Sequence, residues 1–372
     1  MKTDVIQRNF FRLLRSGAFG TASESIEPMS PWKWNRLYNI SLMHSVAALI
    51  NDGINNCAED FFLQIPPALA DKWRKTAEET ENANRAAYAP MAELFGIFNK
   101  EQLRPIMLHG VGAATLYGNP LHRTCGDVDI FFPYKPQADK AEAWAKENGK
   151  AVSRTEKGTL SYTWNGLTVE HYTTAQRLTN SFLNRKLQNI ISSEISCCDS
   201  EYIRIEDAKI EVVPATLRLL LAVLRIARYI INDGISLKQV IDLGMLVRNA
   251  GDDVDYGKLK KWISVLGLGR MAEVEGALLT ELFGFDKDEM LFVGRKLGLG
   301  IDKIVDDIFL LTANHNEEWY FTQGKNIFVR TSNMGAMTWQ AKHLARFFNF
   351  YPAEALTSFV ASFAHSLTHI EE

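Results

Sequence analysis

Gly126-Asp127-Val128-Asp129-Ile130-Phe131-Phe132 sets two carboxylates two positions apart in an otherwise apolar, strand-forming run. Side chains alternate along a strand, so Asp127 and Asp129 share one face while Val128 and Ile130 take the other, toward a core. Aspartate is depleted from strands, and two neighbouring carboxylates raise each other's pKa unless a cation neutralises them. Mg²⁺, or Mn²⁺, suits such a pair because it accepts a few carboxylate oxygens and leaves positions open for phosphate oxygens and water. Read by itself, an Asp-x-Asp is more often a strand end facing solvent.

Working outward, Ile106-Met107-Leu108 follows Pro105 and runs into His109-Gly110-Val111-Gly112, the pattern of a strand turning into a helix. Glycine at that junction lets the backbone approach a phosphate, and the helix start offers its N–H groups to an anion; an ordinary glycine turn is the plain alternative. Downstream, an amphipathic helix is expected over 135–150. Two β-prone runs, 160–164 and 167–172, then flank Asn165-Gly166, a strong hairpin signal. On the second run Thr168, Glu170 and Tyr172 share one face, with Val169 and His171 on the other. A last strand is expected over 209–213, ending at Pro214.

Helical periodicity dominates both flanks. A long helix is expected over 31–51, with Ser30 as cap and Pro31 in the first turn, and another over 67–99, kinked or broken near Pro90. After Pro214 the period returns over 216–232, 236–248, 256–266 and 270–283. The layout is therefore α+β: a helical region over 1–100, a mixed-sheet α/β core over 101–213 and a helical region over 214–372.

Composition narrows the partners. The formal net charge is −3 and the pI about 6.3, which supplies no field to draw the chain onto a long nucleic acid or an anionic membrane. Cys57, Cys125, Cys197 and Cys198 have neither metal-type spacing nor a disulfide framework, which suits a reducing cytoplasm. Residues 1–20 mix Arg8, Arg12 and Arg15 with Phe10 and Phe11, unlike a signal peptide, and the apolar stretch 217–231 is cut by Arg218, Arg225 and Arg228. A soluble cytoplasmic protein without a membrane partner is expected.

The Gly110-x-Gly112 turn, Tyr117 at the end of a short helix, Arg123 and Gly126-Asp127-Val128-Asp129 together resemble the signature of the DNA polymerase beta-like nucleotidyltransferase superfamily. Within it the pattern is similar to a largely uncharacterised bacterial branch whose core reads Lys-Gly, Tyr, Arg, then Gly-Asp-hydrophobic-Asp. The resemblance spans residues 30–250, is strongest over 106–132, and includes Glu170-His171 and Val213-Pro214. Residues 286–372 lie outside it.

The resemblance implies that Asp127, Asp129 and a third carboxylate, assigned to Glu170, are catalytic and hold Mg²⁺ or Mn²⁺. The ion positions a nucleoside triphosphate for attack by a hydroxyl on its α-phosphorus. It places Gly110 and Gly112 on the phosphates with Arg123 near them. Arg123 is equally a structural ion-pair partner, and Glu170 equally a solvent-facing hairpin residue. Two features depart from the branch: His109 stands where it often has lysine, and Gly110-Val111 and Gly112-Ala113 bring no hydroxyl into the loop.

Two functions follow: metal-dependent nucleotidyl transfer from an NTP to a hydroxyl of a small molecule or protein, or a catalytically degenerate core serving as a nucleotide-binding or protein-interaction module. The intact Asp-x-Asp favours the first. A metal-dependent glycosyltransferase also uses Asp-x-Asp, but such enzymes usually open with a parallel nucleotide-binding sheet and this chain opens with helices. His171 and Asp242 read as structural residues, and Asp252, Asp253 and Asp255 lack the glycine and closing glutamate of a calcium loop.

Overall fold

The computed structural model describes residues 4–22, 24–155, 158–233, 236–294, 301, 304–305 and 348–368. They form two compact units, the first from Met1–Ala175, Ile191–Leu219 and Ile241–Val254, the second from Gln176–Ile190, Leu220–Val240 and Asp255–Glu372.

The first unit opens with helices α1 (Val5–Phe19), α2 (Pro31–Met43), α3 (Ala47–Asn56) and α4 (Pro67–Lys100). Ser30 caps α2 by accepting from Lys33 N, with Pro31 in the first turn. The single helix expected over 31–51 is instead two. Ser45 adopts a left-handed conformation (φ 56°), which ends one hydrogen-bond run before the next begins. Conversely, α4 is not broken at Pro90. Met91, Leu94, Phe95 and Phe98 beyond it are buried in the same core as the sheet, and that packing outweighs the hydrogen bond a proline removes.

Helices α1 and α3 cross at glycines. A Cβ on Gly17 would sit 1.8 Å from Leu49 O, and one on Gly53 only 2.0 Å from Leu13 O. Gly53→Ala should therefore force the pair apart and cost about 1–3 kcal/mol in urea denaturation. An unchanged midpoint would contradict this close crossing.

The sheet has seven strands in the order β3-β4-β5-β2-β1-β7-β6: β1 (Ile106–Met107), β2 (Val128–Phe131), β3 (Lys150–Arg154), β4 (Leu160–Trp164), β5 (Leu167–Tyr172), β6 (Glu201–Ile205) and β7 (Ala208–Val212). β2 lies between β1, antiparallel to it, and β5, parallel to it. The β4–β5 turn is Asn165-Gly166 with φ of 44° and 85°, the paired positive values of a tight hairpin turn. The one-turn helix α5 (Val111–Ala114) follows β1, and α6 (Lys135–Asn148) packs its alanines Ala138, Ala141 and Ala145 into the core.

α7 (Ser181–Cys197), α8 (Ala215–Arg228) and α9 (Leu237–Arg248) each contribute residues to both units, while α10 (Tyr256–Val265), α11 (Gly269–Phe283) and α12 (Pro352–Thr368) belong to the second. Within that unit Glu354 on α12 accepts from Thr179 N (2.6 Å) and Asn180 N (2.9 Å), satisfying backbone donors at the start of α7. Glu275 on α11 is fully buried, and burial pushes its carboxyl well above the usual range. Among the described residues no helix is long and apolar enough to cross a membrane.

Candidate metal and nucleotide site

Strand alternation and register bring the acidic residues together. Asp127 immediately precedes β2, Asp129 lies within it, and Asp129 sits directly opposite Glu170 on the parallel neighbour β5. Each of Asp127, Asp129 and Glu170 offers a carboxylate oxygen, and the three atoms lie within 4.8 Å of one another. Asp127 is exposed, Glu170 half-buried and Asp129 9% exposed.

The opposite face of these strands is core. Val128, Ile130 and Val169 are buried, and His171 hydrogen-bonds Tyr162 Oη at 3.0 Å with edge contacts to Phe98 and Phe132. Burial lowers the His171 pKa to about 3, so the ring is neutral and structural, consistent with its position opposite Glu170.

Tyr172, two positions beyond Glu170 and on the same face, donates its phenol hydrogen to Glu170 Oε2 at 2.5 Å. Burial first, then the charge of Asp129 and the bond to Glu170, push the phenol far above its ordinary pKa, so it remains a donor. The i, i+2 spacing from Glu170 was the available sequence signal for this residue.

Gly110 has φ 69° and ψ −114°, a conformation that an L side chain rarely adopts, and a Cβ there would lie 3.5 Å from Asp127 O. The turn thus runs directly beside the start of the acidic strand. Gly112 is different: a Cβ on it would make ordinary contacts at 3.5–3.8 Å with Met107 and Val212 side chains, so it borders the core. Gly110→Ala is expected to cost on the order of 1–3 kcal/mol and Gly112→Ala less than about 1.5 kcal/mol, measured by denaturant unfolding. Equal losses would contradict the strained geometry at Gly110.

Of the two readings of Arg123, the structure has the ion pair. Its side chain is 4% exposed, with Nε 3.1 Å from Asp242 Oδ1 and Nη2 2.5 Å from Oδ2. Tyr117 donates to the same Oδ1 at 2.7 Å. Asn84 on α4 donates to the carbonyls of Leu121 (2.7 Å) and Arg123 (2.9 Å). The segment between the Gly110 turn and Asp127 is therefore held from two helices. Asp242 had one visible mark in the sequence, a lone charge within Val240-Ile241-Asp242-Leu243, but no local feature names its partners.

The donor set fits a hard divalent cation. Three carboxylates converge to within 4.8 Å of one another, close to the separations of up to about 4.2 Å that an ion about 2.1 Å from each oxygen imposes.

No curated protein and no solved structure matches the chain significantly. A family model described as "Uncharacterised nucleotidyltransferase" matches residues 30–284. That match takes in the whole sheet, the Gly110 turn and all three carboxylates, and the chain belongs to the uncharacterised nucleotidyltransferase family.

Proposed function

We propose that this chain transfers a nucleotidyl group from a nucleoside triphosphate to a hydroxyl of a small molecule or protein, using a divalent ion held by Asp127, Asp129 and Glu170. The observation that carries this reading is the convergence of the three carboxylates within 4.8 Å, two from one strand and its lead-in and one from the register partner. When bound, Mg²⁺ or Mn²⁺ supplies the positive charge that orients the triphosphate and offsets the charge developing on it.

The chain's own residues do the rest. The Gly110 turn brings bare backbone against Asp127, so no side chain separates the loop from the phosphates. Tyr172 steadies Glu170 through its phenol. Glu170 accepts the proton as the acceptor oxygen bonds to the α-phosphorus and the bond to the departing pyrophosphate breaks. Arg123 is engaged with Asp242, so neutralising the triphosphate falls to the ion and the backbone. The weak net charge of −3 favours a small or protein acceptor over a long nucleic acid.

One alternative has its own support: His109 in place of a lysine, together with the engaged Arg123, suits a core that binds nucleotide without turning it over. Incubating the full chain with each labelled NTP and Mg²⁺ or Mn²⁺ separates the two. Metal-dependent pyrophosphate release or self-labelling is expected; saturable NTP binding with neither outcome would favour the binding-only reading.

A further inference from the structure

A cavity lies wholly within the first unit, and Asp127, Asp129 and Glu170 are not among its walls. It is an open cleft of about 530 Å³, within the size range of small-molecule sites. Three helices end at it: Phe19 and Gly20 close α1, Asn55 and Asn56 close α3, and Arg248 and Asn249 close α9. The 116–119 segment, with Leu116, Gly118 and Asn119, forms a further wall.

The chemistry of this lining is specific. Four carboxamides line the cleft: Asn56 Nδ2 donates to Ser16 O (3.2 Å) and Oγ (3.1 Å), Asn249 Nδ2 donates to Met245 O (2.8 Å), and Asn119 Oδ1 accepts from Leu121 N (3.2 Å). Asn56 and Asn249 therefore offer it their oxygens, Asn119 its NH₂ group and Asn55 both ends. The lining carries one acidic side chain, Asp52, and one basic side chain, Arg248. Both carboxylate oxygens of Asp52 lie 2.8 Å from His122 Nδ1, and that hydrogen bond raises the histidine pKa. Arg248 stacks its guanidinium 4.9 Å from the Phe19 ring centroid at a helix C-terminus, where the helix dipole favours a cation. Amide donors and acceptors side by side, with one acidic and one basic side chain between them, match hydroxyls, which both donate and accept, better than they match a phosphate, a carboxylate or an ammonium group.

We propose that this cleft is a binding site for an uncharged, hydroxyl-rich small molecule of about monosaccharide size, separate from the carboxylate site. The proposal does not depend on nucleotidyl transfer, because binding is measured without nucleotide or metal.

The test is saturation-transfer NMR and calorimetry on the full chain with D-glucose, D-galactose, D-mannose, N-acetyl-D-glucosamine and myo-inositol, alongside D-glucuronate, D-glucosamine and D-glucose 6-phosphate as charged comparators. At least one neutral compound should saturate with a Kd below about 10 mM and bind more tightly than its charged counterparts. Gly118→Leu fills the cleft from a position where a Cβ meets nothing within 4 Å, and Asn55→Leu removes one exposed carboxamide. Each should weaken binding about tenfold or more while leaving the melting temperature unchanged. Absence of saturable binding by every neutral compound, tighter binding of a charged one, or full retention of binding in both folded variants would overturn the proposal. If one variant fails to fold, the other decides.

Discussion

Asp129→Asn is expected to reduce metal-dependent pyrophosphate release by about a thousandfold, the equivalent of about 4 kcal/mol of transition-state stabilisation. Its oxygen belongs to a set of three within 4.8 Å, so losing one negative charge weakens the hold on a divalent ion more than any substitution further from the cluster. The apo protein should be as stable as the wild type or more so, because one member of a repelling group has been removed. Asp127→Asn should behave alike. Two measurements check this: the rate of pyrophosphate release, and the thermal stabilisation that NTP and Mn²⁺ confer together, which should vanish in both variants. A variant that unfolds at ordinary temperature would make the aspartate a structural residue.

Asp242→Ala should produce the largest loss of stability. It strands the buried Arg123 guanidinium and leaves the Tyr117 hydroxyl without this acceptor, and breaking a buried ion pair from one side costs about 3–5 kcal/mol. For a unit of this size that corresponds to a fall in melting temperature on the order of 10 °C. The double substitution Arg123→Met with Asp242→Leu should recover much of the loss, because it removes both charges and fills the space with apolar volume. A single Asp242→Ala that melts within about 2 °C of the wild type would show that the pair contributes little.

What the sequence revealed and what it hid divide along the range of the interactions. The shared face of Asp127 and Asp129, the Asn165-Gly166 hairpin and the Ser30-Pro31 helix start are set by residues adjacent in the chain, and each appears in the structure as expected. The pairing of Asp129 with Glu170 joins residues some forty positions apart, and only the hairpin's docking on β2 establishes its register. The residues alone gave Glu170 its type and face, and the family resemblance grouped it with Asp127 and Asp129, but nothing local set the register that puts it opposite Asp129.

Elements without a local signal went unseen. β3 is a largely exposed edge strand, Lys150-Ala151-Val152-Ser153-Arg154, with no apolar alternation to mark it. β6 reads Glu201-Tyr202-Ile203-Arg204-Ile205 and draws its place from pairing with β7. The break at Ser45 was hidden because apolar residues keep a helical period across it, whereas the turn depends on one residue entering the left-handed region. Arg123 could not be resolved into phosphate contact or ion pair, since Asp242 lies more than a hundred positions away.

Crystals of the full chain soaked with Mn²⁺ and a non-hydrolysable NTP, with data collected at the manganese absorption edge, test the central claim most directly. The account predicts an anomalous peak bonded to oxygens of Asp127, Asp129 and Glu170 at about 2.1–2.2 Å, with the triphosphate reaching the same ion beside Gly110. A peak elsewhere, or nucleotide bound with no ion among the three carboxylates, would contradict it.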